Sequence, residues 1–339
     1  MSPLTVSQLQ LDDDRALAGL AQFRAEYAFA QFGGRTSQTV AQLRAELTDT
    51  PFQRQTFWIA REGERVVGEA SVDLMLRENL DLAYVELQVA HDARGRGIGT
   101  RLLNDAVEPA LRASGRTRVE AYGEFALDER VDDPTHPSNR LAQRLGLELK
   151  NLSVCRMAPL PIDAQVAGAL QAEAAARSSD YETLLWVDRV PEEYLAEYGA
   201  LMRQLELDEP DEDVVAEIAD YTPERIRSME DRRVASGWCA LIAVSRAADG
   251  TLAAHSEVEI DLGEGTDLAF QHNTLVFPAH RGHRLGLELK LATHRALVER
   301  FPDVRRIATW NSHVNPWMIE VNERMGYRER FREGIFQTA

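Results

Sequence analysis

Alternating apolar and polar residues mark the strands of this chain, and a period near 3.6 marks its helices. Val85, Leu87 and Val89 alternate with Glu86 and Gln88, which predicts a strand with one face on a core. After a glycine loop, Ile98, Leu102, Leu103, Ala106, Val107, Ala110 and Leu111 recur at helical spacing. Pro109 falls inside that stripe and should kink the helix. Phe57–Arg61, a turn at Glu62-Gly63-Glu64 and Val66–Val72 predict a hairpin. Cys239–Val244, a turn at Asp249-Gly250 and Leu252–Ile260 predict another. Helical stretches precede each hairpin, near 13–30 and 38–48, then near 192–206 and 222–236. Thr222 and Pro223 supply an N-cap and a first-turn proline for the last of these.

The pattern occurs twice. Val89, Arg94, Gly95 and Gly99 return as Val276, Arg281, Gly282 and Gly286 at a constant offset of 187. Each copy reads as strand, glycine loop and helix, and Leu285, Leu289, Ala292 and Ala296 carry the second helical stripe. A short strand pair is expected to close each half. This ordering predicts an α+β fold made twice: residues 1–158, a linker at 159–179, and residues 180–339. The helix-forming run Val166–Arg177 predicts a connecting helix within the linker.

Composition narrows the possible functions. The chain has 339 residues and a net charge of −17, of which −13 falls in residues 159–339. That sign repels phosphate backbones and argues against nucleic-acid binding. The longest apolar run, Trp238–Val244, is far short of the ~20 residues a membrane span needs. Met1–Asp14 lacks the apolar core of a signal peptide, and Cys155 and Cys239 are too few for a disulfide framework or a cysteine metal site. These features predict a cytoplasmic protein with no membrane or nucleic-acid partner.

Glycines at the mouth of a helix let the backbone approach an anion, and the free N–H groups there favour negative charge. A pyrophosphate suits such a loop. The dinucleotide spacing Gly-x-Gly-x-x-Gly and the P-loop pattern are both absent. The spacing Arg94-x-x-Gly97-x-Gly99 resembles the acyl-CoA signature of the GCN5-related N-acetyltransferase (GNAT) superfamily. The strand Glu86–Val89 looks like that family's fourth strand. Thr309–Asn311, Asn315, Asn322 and Met325–Tyr327 resemble its fifth strand and fourth helix. The likeness covers nearly the whole chain as a tandem pair, similar to the arrangement of mycothiol synthase.

The resemblance implies two tandem GNAT-like domains, each a mixed, mostly antiparallel sheet flanked by helices. It implies acetyl-CoA as co-substrate, no metal, and direct attack by the primary amine of a small molecule. The cofactor would lie against Val89, Arg94, Gly95, Gly97, Ile98, Gly99 and Thr100 in the first half. In the second half it would meet Val276, Arg281, Gly282, Arg284, Leu285 and Gly286, with Asn311, Asn315 and Asn322. The chemistry needs a base, an oxyanion donor and an acid for the leaving thiolate. Glu86 is the candidate base of the first half. The family's frequent tyrosine acid, four residues before the glycine that ends the fourth helix, is Ala142 in the first half and Asn322 in the second. Tyr122 is a substitute acid. Asn273 stands where Glu86 stands, so His255 and Glu257, with Glu259 on the same strand face, are the second half's candidates. The near-intact Asn311 and Asn315 elements assign the chemistry to the C-terminal half and cofactor binding or support to the first. A silent acyl-CoA-binding module is the alternative, and an acidic interaction scaffold is a third reading. His272, His280 and His283 are expected at the surface or near the cofactor, and the acidic run Glu206–Asp220 near a cationic acceptor.

Overall fold

The computed structural model describes residues 3–208 and 213–338. Its first half runs β1 (Leu4–Gln8), α1 (Asp14–Phe32), α2 (Val40–Glu46), β2 (Gln53–Glu62), β3 (Arg65–Met75), β4 (Leu82–Val89), α3 (Ile98–Leu102), α4 (Glu108–Ser114), β5 (Arg118–Phe125), α5 (Pro137–Arg144) and β6 (Leu147–Pro159). A connecting helix, α6 (Ala164–Ser178), follows. The second half runs β7 (Tyr181–Val187), α7 (Leu195–Asp208), α8 (Pro223–Ala235), β8 (Trp238–Ala247), β9 (Leu252–Asp261), β10 (Leu268–Val276), α9 (Leu285–Arg300), β11 (Arg306–Ser312), α10 (Pro316–Arg324) and β12 (Arg328–Thr338). Among the described residues no helix is long and apolar enough to cross a membrane.

All twelve strands join one sheet in the order β1-β2-β3-β4-β5-β12-β6-β11-β10-β9-β8-β7. The expected closing strand pair in each half is a single long strand, and the two are exchanged. β12 lies between β5 and β6, and β6 lies between β12 and β11. Each half thus leaves the edge of its fifth strand to be covered by the other half's last strand, which removes two exposed edges. Pairing is antiparallel except at β4–β5 and β10–β11. Those two parallel pairs sit at equivalent points of the duplicated unit.

Helices cover both faces. Gly68 on β3 packs against Ile98 and Leu102 of α3, while its neighbour Glu69 receives the guanidinium of Arg24 from α1. Adjacent strand residues point to opposite faces, so α1 and α3 lie on opposite sides of the sheet. Pro109 does more than kink its helix: Leu103–Val107 winds as a π-type turn between α3 and α4. The proline ring clashes with the carbonyl four residues back, at Asp105, inside that widened stretch.

Each half also reaches over the other. The segment between α1 and α2 donates Arg35 N–H to Asp267 and Ser37 N–H to Asp261. A Cβ at Gly263 would lie 1.6 Å from the Ser37 carbonyl oxygen, so this crossing depends on the missing side chain. In return, Glu217 exchanges backbone and side-chain hydrogen bonds with Asn79, and Arg225 pairs with Glu78.

Candidate active site

In the first half β4 and β5 pair only from Leu82↔Arg118 to Val85↔Ala121, and beyond this point the strands fork. Glu86 is the first residue past the fork, on the α1 face with Glu69 and Asp73 of β3. Arg24 binds Glu69 through both Nε and Nη2 (3.0 and 2.8 Å) and reaches Glu46 at 2.8 Å. Glu86 is exposed in the mouth of the fork; partial desolvation by the surrounding groups, reinforced by the charge of Glu69, raises its carboxyl above the ordinary range, and Arg24 opposes the shift. Burial and the charge of Glu86 push Asp73 up to about 7. Tyr122 lies across the fork and donates its hydroxyl to Glu120 at 2.6 Å.

After β4 the chain turns at His91–Ala93 and enters the glycine loop. Gly95 and Gly97 adopt φ of +75° and +79°, and no atom lies within 4 Å of either missing Cβ. The loop is therefore an open cradle at the start of α3, where N–H groups lack intrahelical partners. Ile98 anchors the helix in the core, while Thr100 stays at the surface. Arg94 donates to the Val89 carbonyl (3.3 Å) and to the Tyr27 hydroxyl (3.2 Å), tying the loop to the fork and to α1.

The second fork opens after Phe270↔Ala308. Arg281 repeats the contact of Arg94, donating to the Val276 carbonyl at 3.3 Å, and pairs with Asp208 at 2.5 Å. Gly282 is open on its side-chain face, and Leu285 is buried. Arg284 takes the place of Gly97 and holds φ at +57°, a left-handed conformation that a non-glycine residue adopts at a cost. Its guanidinium is bound to Glu173 of α6 at 2.9 Å.

Most polar residues of this second fork hold one another, but neither ring nitrogen of His255 has a hydrogen-bond partner among the described residues. Asn322 is fully buried, accepts from Lys290 Nζ at 2.7 Å and donates to Asn311 Oδ1 at 3.2 Å. Arg156 of β6 donates to the same Asn311 oxygen at 3.3 Å. Asn315 caps α10 by accepting the Met318 N–H. His255 is fully buried against the Tyr198 ring, and burial lowers it to about 4. Glu257 accepts from Tyr198 Oη (2.8 Å) and Arg233 Nη1 (3.0 Å). Burial works against Glu259, yet His272 at 3.1 Å and Arg233 hold it down at about 2. Glu257, Glu259, Asn273, Tyr198 and Met202 line a cavity of about 190 Å³.

His280 and His283 lie against Tyr181 rather than together. Within the acidic run, Glu206 holds Tyr221, Asp208 holds Arg281, and Glu217 holds Asn79; Asp211 and Glu212 lie outside the described residues.

The pattern did not flag Lys290 as part of the second fork. Its one signal is a lysine between Leu289 and Leu291 in a helix otherwise packed on the sheet. Burial lowers its ammonium to about 7. The unfolded chain keeps that proton up to about 10.5, so the folded state binds fewer protons between pH 7 and 10 and stability should rise across this range. Urea midpoints at pH 7 and 9.5 measure the rise, and Lys290→Met should remove most of it. Equal slopes for the two proteins would show that Lys290 is not the group responsible.

Residues 53–146 match the family model described as the acetyltransferase (GNAT) domain. The structure is similar to a tandem GNAT protein from the clavulanic acid biosynthesis pathway, with 25% identity, TM-score 0.75, and coverage of 99% of this chain and 98% of that one. It shares its fold with a GCN5-related N-acetyltransferase from Sphaerobacter thermophilus (15% identity, TM-score 0.63, 99% and 96% covered). The same holds for the N-myristoyltransferase of Saccharomyces cerevisiae (10% identity, TM-score 0.59, 99% and 80% covered). No curated protein matches the chain in sequence. Residues 53–146 thus carry an acetyltransferase (GNAT) domain, and the chain as a whole, with its duplicated fork and glycine loop, has the fold of a tandem GNAT protein.

Proposed function

We propose that this protein transfers an acetyl group from acetyl-CoA to the primary amine of a small molecule, and that its N-terminal half performs the transfer. One observation carries the reading: Glu86, a carboxylate with a raised proton affinity, stands at a fork beside an open glycine cradle. Bound acetyl-CoA would bring the thioester to that fork. The N–H groups of Gly95–Gly99 suit its pyrophosphate, and a β4 N–H freed between Glu86 and Val89 suits the thioester oxygen. Glu86 takes the proton of the attacking ammonium, directly or through a water. Tyr122, across the fork, is the candidate proton donor.

This reading moves the chemistry from the C-terminal half, where the sequence pattern put it, to the first half. Asn322 and Asn311 are spent on Lys290 and Arg156, and Arg284 on Glu173. His255 has no exposed surface, and Glu257 is held by Tyr198 and Arg233. In this reading these groups stabilise the second half.

Thiol release from acetyl-CoA, followed with a panel of small primary amines, tests the activity. Amine-dependent release is expected. Cofactor binding with no release for any amine would favour the silent acyl-CoA-binding module.

A further inference from the structure

We infer that the acceptor carries two or more ammonium groups, and that the second is seated on Glu333, a residue the C-terminal half supplies to the N-terminal site. The inference rests on the transfer reading above and concerns which amine that site takes.

Glu333 lies on β12, the strand inserted beside β5, and its register partner on β5 is Glu124. Directly opposed residues in an antiparallel pair share a face with Cβ atoms about 5 Å apart, and like charges there are destabilising. The fold keeps this pair nonetheless. Glu124 is satisfied by the Tyr27 hydroxyl at 2.9 Å and by Gln31. Glu333 is half-buried, and no described side chain hydrogen-bonds to it or forms an ion pair with it. The nearby arginines are committed elsewhere: Arg330 to the Gln31 carbonyl, and Arg332 to carbonyls of the loop after β5.

A second carboxylate, Asp73, lies on the far side of Glu86, with Gln55 beside it. Asp73 Oδ1 is shut off from solvent and has no hydrogen-bond partner among the described residues. Burial, with the charges of Glu124 and Glu86, holds Glu333 up at about 7, as burial and Glu86 do for Asp73. Glu333 and Asp73 flank the base and form no ion pair among the described residues, while the nearby Arg24 and Arg94 are held by Glu69, Glu46 and Glu124, so further positive charge is left for a ligand to bring. Glu86 and Glu333 stand two strand spacings and two residues apart in register, about 12 Å before the fork widens. A flexible diamine spans that distance with an ammonium in contact with each carboxylate. The site is therefore composite: without β12 the first half would have the base and the cradle but not this anchor.

The test compares kcat/KM for an alkyl diamine and for the monoamine of equal length, in the wild type and in Glu333→Gln. The wild type should favour the diamine roughly ten- to hundredfold, the worth of one charged hydrogen bond. Glu333→Gln should abolish most of that preference through KM, leave monoamine turnover and acetyl-CoA affinity unchanged, and melt no lower than wild type because a like-charged pair is relieved. A preference that survives Glu333→Gln, or a wild type that does not discriminate, overturns the inference while transfer itself stands. Turnover of neither amine, with acetyl-CoA bound, removes the transfer reading and this inference with it. As a check independent of the variant, the diamine should raise the melting temperature of the wild-type protein more than the monoamine does. An equal shift would also count against the anchor.

Discussion

Replacing Glu86 by Gln should lower kcat/KM for amine acetylation by about 10²- to 10⁴-fold, the usual worth of a positioned base, with acetyl-CoA affinity nearly unchanged. An amine reaches the site as an ammonium and attacks only after losing its proton. Glu86 is the carboxylate just past the point where β4 leaves β5. Partial desolvation at the fork and the nearby Glu69 charge raise its proton affinity, which brings it closer to that of an amine, while its exposed carboxylate stays accessible to the acceptor. The base must be ionised to act, so wild-type kcat/KM should rise with pH through a step above the ordinary carboxylate range. That step should be missing from the residual activity of Glu86→Gln. Wild-type rates in the variant would remove Glu86 from the mechanism.

Gly99→Trp should abolish turnover, whereas Gly286→Trp should leave most of it. A Cβ at Gly99 would already lie 3.4 Å from Leu87 Cδ2 and 3.7 Å from Val89 Cγ2, so an indole must fill the space between the helix start and the fork. Gly286 has the same surroundings in the second half, 3.4 Å from Thr274 Cγ2 and 3.7 Å from Val276 Cγ2. The two substitutions are therefore matched in steric cost and differ in which fork they close. Steady-state rates at saturating amine separate them. Loss of activity in Gly286→Trp, with Gly99→Trp still active, would return the chemistry to the C-terminal half.

Local periodicity made much of the fold legible. The offset of 187, the two hairpins and the strand–loop–helix units all follow from apolar spacing and glycine placement, and the structure contains each of them. The exchange of β6 and β12 was not legible, because alternation says that a segment is a strand and not which edge it covers. Nothing in the sequence sets Glu333 apart from any other charge on a terminal strand for this reason. Its position beside Glu124 follows only from the pairing of β12 with β5.

The face of Glu86 was legible from its alternation with Val85 and Leu87. The state of the second fork was not. Asn311 matches the family pattern as a letter and Asn322 stands at its tyrosine position, but their partners Arg156 and Lys290 come from the other half's last strand and from another helix. Alternation puts His255, Glu257 and Glu259 on one strand face, and β9 holds them so. Its burial beneath α7 and α8 depends on Tyr198 and Arg233, which that strand's own pattern does not specify.

Calorimetric counting of acetyl-CoA sites per chain bears most directly on the claim that the first fork is the working one. The account predicts one site in the wild-type protein, none in Gly99→Trp and one in Gly286→Trp. A site that survives Gly99→Trp and disappears in Gly286→Trp would contradict it.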